Sequence, residues 1–473
     1  MDSIVIVGGG IAGLSAAYSL VEKAKSENRA VSISVVEAGD RWGGKIATDR
    51  IDGFVIEGGP DTFLRTKPWG VDLCRKLGLE DRLHGTNPAQ KNTYVLHSGR
   101  LKPLPEGLMM MIPTQIAPMV RTPLLTWPEK ARMGLDFFLP AQPLSGDESL
   151  GEFVSRRLGR AAYEKLIEPL MSGIYAGDGD QLSLQSTFPY LRDLEMKHGG
   201  LVKGALSVRK QRSSMSSGNS NNKSIFLTPT TGLAEIVEAL IQYLETHHVQ
   251  LHLNTRVTQI IHNKTGCYQL DTKTRGPILA NGVILAAPAY ISGSILSEMA
   301  PQLSRELTAI PYVSTATISL AYRESDLSKP LGGYGYVIPR REGRQALACT
   351  WTSTKFPHRA PEGYALLRVF AGRAGQEQDL PWNEDDLLTI ARSEVRHTLG
   401  IKADPVLSRV YMWDKAMPQY NLGHPERLKR IDEELPKYPG LALAGNGYQG
   451  IGIPDCIFSG SQAAEKVYLS LSD

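Results

Sequence analysis

The sequence predicts an α/β fold, α+β overall, whose first domain is a Rossmann-like nucleotide-binding unit. Three observations predict it. An apolar run at residues 4–7 leads directly into a glycine-rich turn, a helix-like segment follows at residues 14–25, and a second strand-like run at residues 31–36 ends on an acid. Such a βαβ unit places its glycines at the first turn, where a phosphate can approach the backbone.

The first turn is expected to hold a dinucleotide pyrophosphate. Its sequence is GGGIAG, and its members are Gly8, Gly9, Gly10, Ile11, Ala12 and Gly13. Gly8 permits the tight turn, Gly10 leaves a path for the pyrophosphate, and Gly13 lets the helix pack closely on the strand. The helix N-terminus directs N–H groups at the phosphates. Glu37 is expected to hold the adenosine ribose.

Composition limits the classes of function. A chain of 473 residues predicts more than one domain, and a net charge of +3 with no basic stripe argues against nucleic acid as the main partner. The four cysteines form no CxxC pair, which predicts a reducing, cytoplasmic location and no metal site. Three histidines near residue 250 straddle a helix-to-strand change, so they do not favour a metal either. The first strand begins at once, which predicts no signal peptide.

A hairpin and a glycine-rich loop follow the βαβ unit. Strands are predicted at residues 46–48 and 54–56 around an Asp52-Gly53 turn. The loop EGGPDTF at residues 57–63 exposes backbone N–H groups and is followed by two cations, Arg65 and Lys67. These cations are either contacts for an anionic substrate or ordinary surface charges.

The middle of the chain predicts a helical insertion. Prolines separate helix-like segments from residue 105 onward, and Ser149 with Glu152 forms a capping box. The Met-rich residues 108–120 are interpreted as a core or interdomain segment, with a membrane-surface or substrate-lining role as the alternative. Residues 168–178 are interpreted as a glycine-broken apolar loop that can lie against a flat ligand, with a turn between two helices as the alternative. Residues 203–224, which are basic and then Ser/Asn-rich, predict a surface loop or a basic flap of undetermined role.

The remaining chain returns to the first domain twice. Strands at residues 249–253 and 282–288, a second α/β segment at residues 296–420, a strand at residues 441–444 and a last helix at residues 457–471 are predicted. The formal GxGxxG repeat at residues 445–450 lacks a following strand with a terminal acid, so a second nucleotide site is not predicted. The predicted domains are residues 1–65, 225–292 and 425–473 for the cofactor, residues 66–104 and 293–424 for the substrate, and residues 105–224 for the helical insertion.

Several motifs resemble a known family. The stretch EAGDRWGGK after the second strand resembles the extended motif of FAD-binding flavoproteins of the amine-oxidase and glutathione-reductase type. The stretches EPLMSGIYAGD and WDKAMPQY, together with GPDTF and GIGIPDC, resemble the FAD-dependent protoporphyrinogen and coproporphyrinogen oxidases, and in particular the Gram-positive bacterial type. The resemblance extends over the whole chain and implies FAD as the cofactor.

The resemblance also implies site residues. Trp413 is expected to touch the flavin and Val257 to reach the adenine through its backbone. Lys67 matches a basic residue beside the family's active site, and Arg65 is the weaker candidate. The other implied FAD contacts are Ala38, Gly44, Lys45, Gly59, Pro60, Asp61, Thr62, Ile451, Gly452 and Ile453.

The implied reaction is an oxygen-dependent oxidation in haem biosynthesis. Coproporphyrinogen III would be converted to coproporphyrin III by repeated hydride removal to the flavin, with release of hydrogen peroxide. No other catalytic constellation appears in the sequence, so no catalytic residue is predicted. The alternatives are protoporphyrinogen IX as substrate, an amine oxidase or desaturase, and a non-enzymatic binding protein on the same fold. Contacts with a membrane surface or with haem-pathway enzymes are left open.

Overall fold

The computed structural model describes residues 2–109, 112, 113, 115–142, 146–215, 224–263, 266–376 and 381–471. In chain order the strands are β1 (Asp2–Val7), β2 (Val31–Val36), β3 (Thr48–Ile51), β4 (Phe54–Glu57), β5 (Phe63–Leu64), β6 (Leu83–Gly85), β7 (Thr93–His97), β8 (Arg100–Pro103), β9 (Leu108–Met109), β10 (Ile112–Pro113), β11 (Phe226–Pro229), β12 (Gln250–His252), β13 (Val257–His262), β14 (Tyr268–Thr272), β15 (Ile278–Ala280), β16 (Gly282–Leu285), β17 (Tyr312–Arg323), β18 (Gly335–Val337), β19 (Ala346–Trp351), β20 (Tyr364–Ala371), β21 (Leu407–Pro418) and β22 (Leu441–Leu443).

Helices connect these strands and form a segment of their own between β10 and β11. They are α1 (Ile11–Ser26), α2 (Pro68–Lys76), α3 (Ile116–Arg121), α4 (Trp127–Gly134), α5 (Leu150–Leu158), α6 (Arg160–Ala162), α7 (Glu168–Tyr175), α8 (Leu184–Thr187), α9 (Pro189–His198), α10 (Leu201–Met215), α11 (Ala234–Thr246), α12 (Ala289–Ile295), α13 (Pro301–Thr308), α14 (Thr352–Lys355), α15 (Glu384–Leu399), α16 (His424–Glu434) and α17 (Ile453–Ser470). Among the described residues, none of the helices is both long enough and apolar enough to cross a bilayer.

A five-stranded parallel sheet forms the first layer, in the order β12-β2-β1-β16-β22. Strand β1 is buried on both faces. Ile4 and Ile6 pack into the same apolar cluster as α1, whereas Val5 and Val7 face a second cluster that includes Val257. Burial on both faces explains why the strand is a continuous apolar run. The predicted βαβ unit is confirmed.

Helices α1 and α17 cross tightly on one face of this sheet. A Cβ at Gly460 would lie 2.1 Å from the carbonyl oxygen of Ala12, so only glycine allows the two backbones to approach this closely. The last helix begins at Ile453, four residues before the predicted start, because Pro454 is favourable in the first turn of a helix. The first and last helices of the described chain therefore share one layer.

A seven-stranded mixed sheet forms the second layer, in the order β21-β17-β20-β19-β18-β7-β8. Its strand pairs are antiparallel except β18 with β7. The predicted mixed sheet is confirmed, but its longest edge strand, β21, was not predicted as one element. The first six residues of the WDKAMPQY motif lie in that strand. Most residues of the strand are only partly buried or exposed, and it lacks the continuous apolar run of β1.

Two expectations for the helical insertion are wrong. Residues 168–175, predicted as a loop, form helix α7, which ends on Ala176 in the left-handed conformation. Its Met171 is fully buried, and packing outweighs the helix-weakening Gly173. Residues 203–215 of the predicted surface loop belong to helix α10, and residues 216–223 lie outside the described part. In the Met-rich segment Met119 is buried and Ile116 is exposed, and residues 110, 111 and 114 also lie outside the described part.

The proposed division into domains stays a prediction, and one packing contact bears on it. Helix α2 packs against α17, and its Leu73 and Cys74 belong to the same apolar cluster as β1. Trp69 stacks on Phe458 at 4.3 Å. These contacts favour a boundary that keeps α2 with the first sheet, whereas the prediction assigned all of residues 66–104 to the substrate unit.

Candidate active site

The glycines of the first turn are required by close backbone approaches. Gly8 has φ +115°, and a Cβ there would lie 2.9 Å from the Ala286 backbone. A Cβ at Gly13 would lie 1.9 Å from the Gly8 carbonyl oxygen, and one at Gly9 would lie 2.4 Å from the Trp42 ring. The turn therefore packs so closely against the end of β16 and against Trp42 that its glycines leave no room for a side chain.

The N-terminus of α1 fits a phosphate. Its N-cap residue, Gly10, provides no side-chain hydrogen bond, and the first turn contains no acid that would repel an anion. The first N–H groups of the helix, which belong to Ile11, Ala12 and Gly13, have no partner within the helix. Within the described part of the chain, a Cβ at Gly10 would meet the Cα of Gly44, at 4.0 Å, and nothing closer. This arrangement provides N–H donors, a positive dipole end and open space.

Glu37 joins the turn to the end of β2. Its carboxylate accepts the N–H of Gly9 at 2.6 Å and the N–H of Gly39 at 2.8 Å. A carboxylate has about four acceptor positions, so two remain for other donors such as ribose hydroxyls. Ala38 lies between Glu37 and Gly39 in sequence. Thr255, two residues before Val257, donates its N–H to the Glu37 carbonyl at 2.7 Å and so connects the start of β13 to the end of β2. The ribose and adenine roles stay predictions.

The second phosphate-side loop packs directly on the first turn. Gly43 donates its N–H to the Gly9 carbonyl at 2.8 Å, and a Cβ at Gly44 would lie 3.1 Å from the Cα of Gly10. Arg41 donates to the carbonyl oxygens of Gly44 and Ile46 and so braces the loop. Sequence reasoning assigned Arg41 no structural role.

Lys45 brings a cation to this loop without an anionic partner in the described protein. Its Nζ lies 5.9 Å from the ring centre of Tyr312. Burial lowers the pKa of Lys45 to about 8, because the charged form is poorly solvated there. An anion such as a phosphate would reverse this shift. The surroundings of Lys45 therefore fit the predicted cofactor contact, which stays a prediction.

The loop at residues 57–62 is held by side chains from the second sheet. Trp413 Nε1 donates to the Gly58 carbonyl at 2.8 Å, and Thr317 Oγ1 donates to the same oxygen at 2.6 Å. Arg368 donates to the Gly59 carbonyl. A Cβ at Gly59 would lie 1.8 Å from the Lys45 carbonyl oxygen, so this glycine is also required. Pro60 and Thr62 follow these fixed points in the same loop, and Trp413 touches the loop that is predicted to run beside the flavin.

Buried charges surround the same loop. The Glu57 carboxylate accepts the Leu233 N–H at 2.8 Å and lies 3.2 Å from Arg359. Burial raises the pKa of Glu57, and the Arg359 guanidinium opposes that effect. Although burial alone would raise the pKa of Asp61, the Lys355 ammonium at 2.9 Å holds it well below its usual range. The loop is therefore anchored through ion pairs in poorly solvated surroundings.

The two predicted substrate cations have different surroundings. Lys67 Nζ lies 2.6 Å from both carboxylate oxygens of Asp455, in the first turn of α17. The Nε of Arg65 is buried and has no hydrogen-bond partner among the described residues, whereas its backbone N–H donates to the Ile225 carbonyl at 2.8 Å. Both cations follow the loop that ends at β5. Their contact with substrate stays a prediction.

The predicted flavin contacts at residues 451–453 lie at the start of α17. Ile451 and Gly452 precede the helix, Ile453 is its first residue, and Asp455 caps it by accepting the Gly452 N–H at 3.2 Å. Burial raises the pKa of the neighbouring Cys456 thiol to about 12, so the thiol stays neutral. Within the described residues, no three His, Cys, Asp or Glu side chains come together as a metal site would require.

Residues missed from the sequence include the main anchors of this site. Arg359, Arg368 and Lys355 are far from the motifs they support and have no local pattern of their own. Asp455 lies within the GIGIPDC motif, but its partner Lys67 is 388 positions away in sequence. A cavity of about 570 Å³ lies beside Trp413, between β3 and α11. Neither Lys67 nor the glycines of the first turn line it, so we place the candidate site at the loops and not in this cavity.

The similarity to known proteins covers nearly the whole chain. The chain matches the family described as flavin containing amine oxidoreductase over residues 11–468. It is 40% identical over 461 residues to coproporphyrinogen III oxidase of Bacillus subtilis (strain 168), covering 97% of this chain and 96% of that protein. It is 34% identical to coproporphyrinogen III oxidase of Staphylococcus aureus, covering 99% of both chains. The crystal structure of a protein from Exiguobacterium sp. 255-15 is 34% identical, has a TM-score of 0.86, and covers 100% of this chain and 99% of that one.

Proposed function

Because the chain belongs to the flavin-containing amine oxidoreductase family, we propose that it oxidises coproporphyrinogen III to coproporphyrin III, with oxygen as the electron acceptor and hydrogen peroxide as the coproduct. The chain is an FAD-dependent oxidoreductase, and the proposed step belongs to haem biosynthesis. Bound FAD supplies a two-electron acceptor for hydride, while the protein supplies binding, orientation and electrostatics. The observation that carries the proposal is the 40% identity to a coproporphyrinogen III oxidase over nearly the full length of both chains.

In this proposal a different element would hold each part of FAD. The N-terminus of α1 would bind the pyrophosphate, Glu37 the ribose, and the start of β13 the adenine. The loop at residues 57–62 and residues 451–453 would lie along the flavin ring. The N-terminus of α17 would stabilise negative charge on a reduced ring, since a helix N-terminus has a partial positive charge.

Lys67 and Arg65 supply the charge that a porphyrinogen carboxylate needs. Each follows the loop at residues 57–62, and Arg65 has a buried Nε that lacks a protein partner in the described part of the chain. Coproporphyrinogen III has four carboxylates and protoporphyrinogen IX has two, on the same oxidisable ring system. Cations at this position therefore favour the more highly charged substrate.

Oxygen consumption with the two porphyrinogens side by side tests the proposal. We expect a larger kcat/KM for coproporphyrinogen III, one hydrogen peroxide for each oxygen consumed, and no turnover of simple amines. Faster oxidation of protoporphyrinogen IX would favour the alternative substrate. Oxidation of an amine without oxidation of either porphyrinogen would contradict the proposed reaction.

We also propose a cytoplasmic location, which the four free cysteines support. Cell fractionation with an antibody against the chain would test it, and recovery from the medium or the cell envelope would contradict it. Contact with a membrane surface or with haem-pathway enzymes stays a hypothesis, which vesicle cosedimentation and affinity capture would test.

A further inference from the structure

Lys67 and Asp455 form an ion pair that connects two distant parts of the chain. The Lys67 Nζ lies 2.6 Å from both oxygens of Asp455, although the residues are 388 positions apart in sequence. The Asp455 side chain is 13% exposed and that of Lys67 is 38% exposed. The pair therefore has a sheltered carboxylate and an ammonium that solvent can still reach.

The Asp455 carboxylate is fixed independently of Lys67. It accepts the Gly452 N–H at 3.2 Å as part of a capping box. A Cβ at Gly450 would lie 2.4 Å from the Asp455 carboxyl carbon, and one at Gly452 would lie 3.0 Å from its oxygen. Two glycines thus leave the space that this carboxylate occupies, and its position is set by the backbone.

Lys67 keeps capacity for a second anion. An ammonium has three N–H donors, of which two suffice for Asp455, and Lys67 has no other partner among the residues that the structure describes. The negative charge of Asp455 is partly offset by the Gly452 N–H and by the positive end of α17. The ammonium therefore retains attraction for a carboxylate that approaches from its exposed side.

We propose that Asp455 is a positioning residue, which holds the Lys67 ammonium where a substrate carboxylate binds it. A lysine side chain is a flexible four-carbon stem, so an unheld ammonium would sample many positions. Asp455 fixes one of them in advance, and binding then needs less ordering. This inference rests on the proposed function, because it names the residue that presents Lys67 to a porphyrinogen carboxylate.

A double-mutant cycle tests the proposal in the holoenzyme. Asp455→Asn, Lys67→Met and the double variant would be compared with the wild type, using the oxygen-stable product coproporphyrin III as a fluorescent ligand. Asparagine can still accept the Gly452 N–H, so the cap is kept. We expect Asp455→Asn to weaken binding by about three- to tenfold and the double variant to bind no more weakly than Lys67→Met alone.

Kinetics and flavin content provide the other readouts. We expect Asp455→Asn to keep its FAD absorbance and its kcat within about twofold while KM for coproporphyrinogen III rises by a similar factor as the dissociation constant. Glu27→Gln is the matched control, since it makes the same change in the exposed Lys23–Glu27 pair, and it should alter neither value.

Three results would overturn the inference. These are unchanged or tighter binding by Asp455→Asn, an equal loss in the Lys67→Met background, and loss of FAD from Asp455→Asn while Lys67→Met keeps it. The last result would show that Asp455 supports FAD binding beside residues 451–453 and does not act by positioning Lys67. Failure of the wild type to bind any porphyrin would instead reject the proposed function, and the inference with it.

Discussion

The two loops that meet at the candidate site are held by different forces. The turn at residues 8–13 is held by its own main chain, since Gly13 packs against the Gly8 carbonyl and Gly8 donates its N–H to Val36 at 2.9 Å. The loop at residues 57–62 is held by side chains that come from hundreds of residues away, above all Arg359 and Arg368. The turn at residues 8–13 depends mainly on close main-chain packing, whereas the loop at residues 57–62 needs buried charges as well as the close approach at Gly59.

This difference predicts different responses to mutation. A side chain added to the turn at residues 8–13 should collide with the ligand and prevent its binding. The surrounding packing should stay intact where the protein leaves room for the added atoms. A charge-anchored loop fails through an unpaired buried ion, which costs stability whether or not the ligand is bound.

Gly10→Val should have the largest effect, namely loss of FAD and of all oxidase activity. A Cβ at Gly10 meets only Gly44, at 4.0 Å, so the fold tolerates it while the added methyl groups occupy the path of the pyrophosphate. Flavin absorbance and circular dichroism of the purified protein measure the two effects. Gly134→Ala, which introduces a Cβ with nothing within 4 Å, is the control. A Gly10→Val protein that keeps full flavin would show that the pyrophosphate lies elsewhere.

Arg359→Met should reduce the free energy of unfolding by about 3–5 kcal/mol, because it leaves the buried Glu57 carboxylate without its cation. Arg359 is 1% exposed, and its Nη2 lies 3.2 Å from Glu57. Arg50→Met is the control, since the exposed Arg50–Glu238 pair should cost at most about 1 kcal/mol. Denaturant unfolding followed by tryptophan fluorescence measures both. Equal losses in the two variants would mean that the loop does not depend on its buried charges.

Lys67→Ala should raise KM for coproporphyrinogen III by about tenfold, the loss expected for one charge-assisted contact, with a smaller rise for protoporphyrinogen IX. The second porphyrinogen has fewer carboxylates to pair. Initial oxygen-consumption rates over a range of each substrate provide the comparison. Equal changes for the two substrates would argue that Lys67 supports the fold of the loop and does not select the substrate.

The affinity for FAD should fall as pH rises through about 8, the pKa of Lys45 in this site. The ammonium form binds a phosphate and the neutral amine does not, so raising the pH to 9 should weaken FAD binding by about three- to tenfold. Stability of the flavin-free protein should move the other way and rise between about pH 8 and 10, since unfolded lysine keeps its proton up to about pH 10.4. Flavin titrations of wild type and Lys45→Met measure the first effect. An identical pH profile for Lys45→Met would assign the dependence to another group.

The turn at residues 8–13 could be predicted from the sequence, whereas the distant side chains that hold the rest of the candidate site could not. Gly13 and Glu37 act on neighbours within one βαβ unit, so their spacing alone predicts their geometry, whereas the contact of Gly8 with Ala286 appears only in the folded chain. Arg359 and Asp455 act on partners that folding brings to them, and a lone arginine or aspartate has no local pattern that reveals its partner. Helix α10 was missed for a related reason, because the polar run RKQRSS at residues 209–214 resembles a loop, whereas the helix is anchored by the buried Leu201 and Ala205 near its start.

The contact between Gly460 and Ala12 has a consequence for the order of assembly. The first βαβ unit leaves the ribosome early, but the helix that packs against it is made hundreds of residues later. We expect FAD to be enclosed only once that late helix has docked, so a nascent chain stalled before residue 453 should retain no flavin. Capture of FAD by such a chain would show that the early unit suffices to hold it.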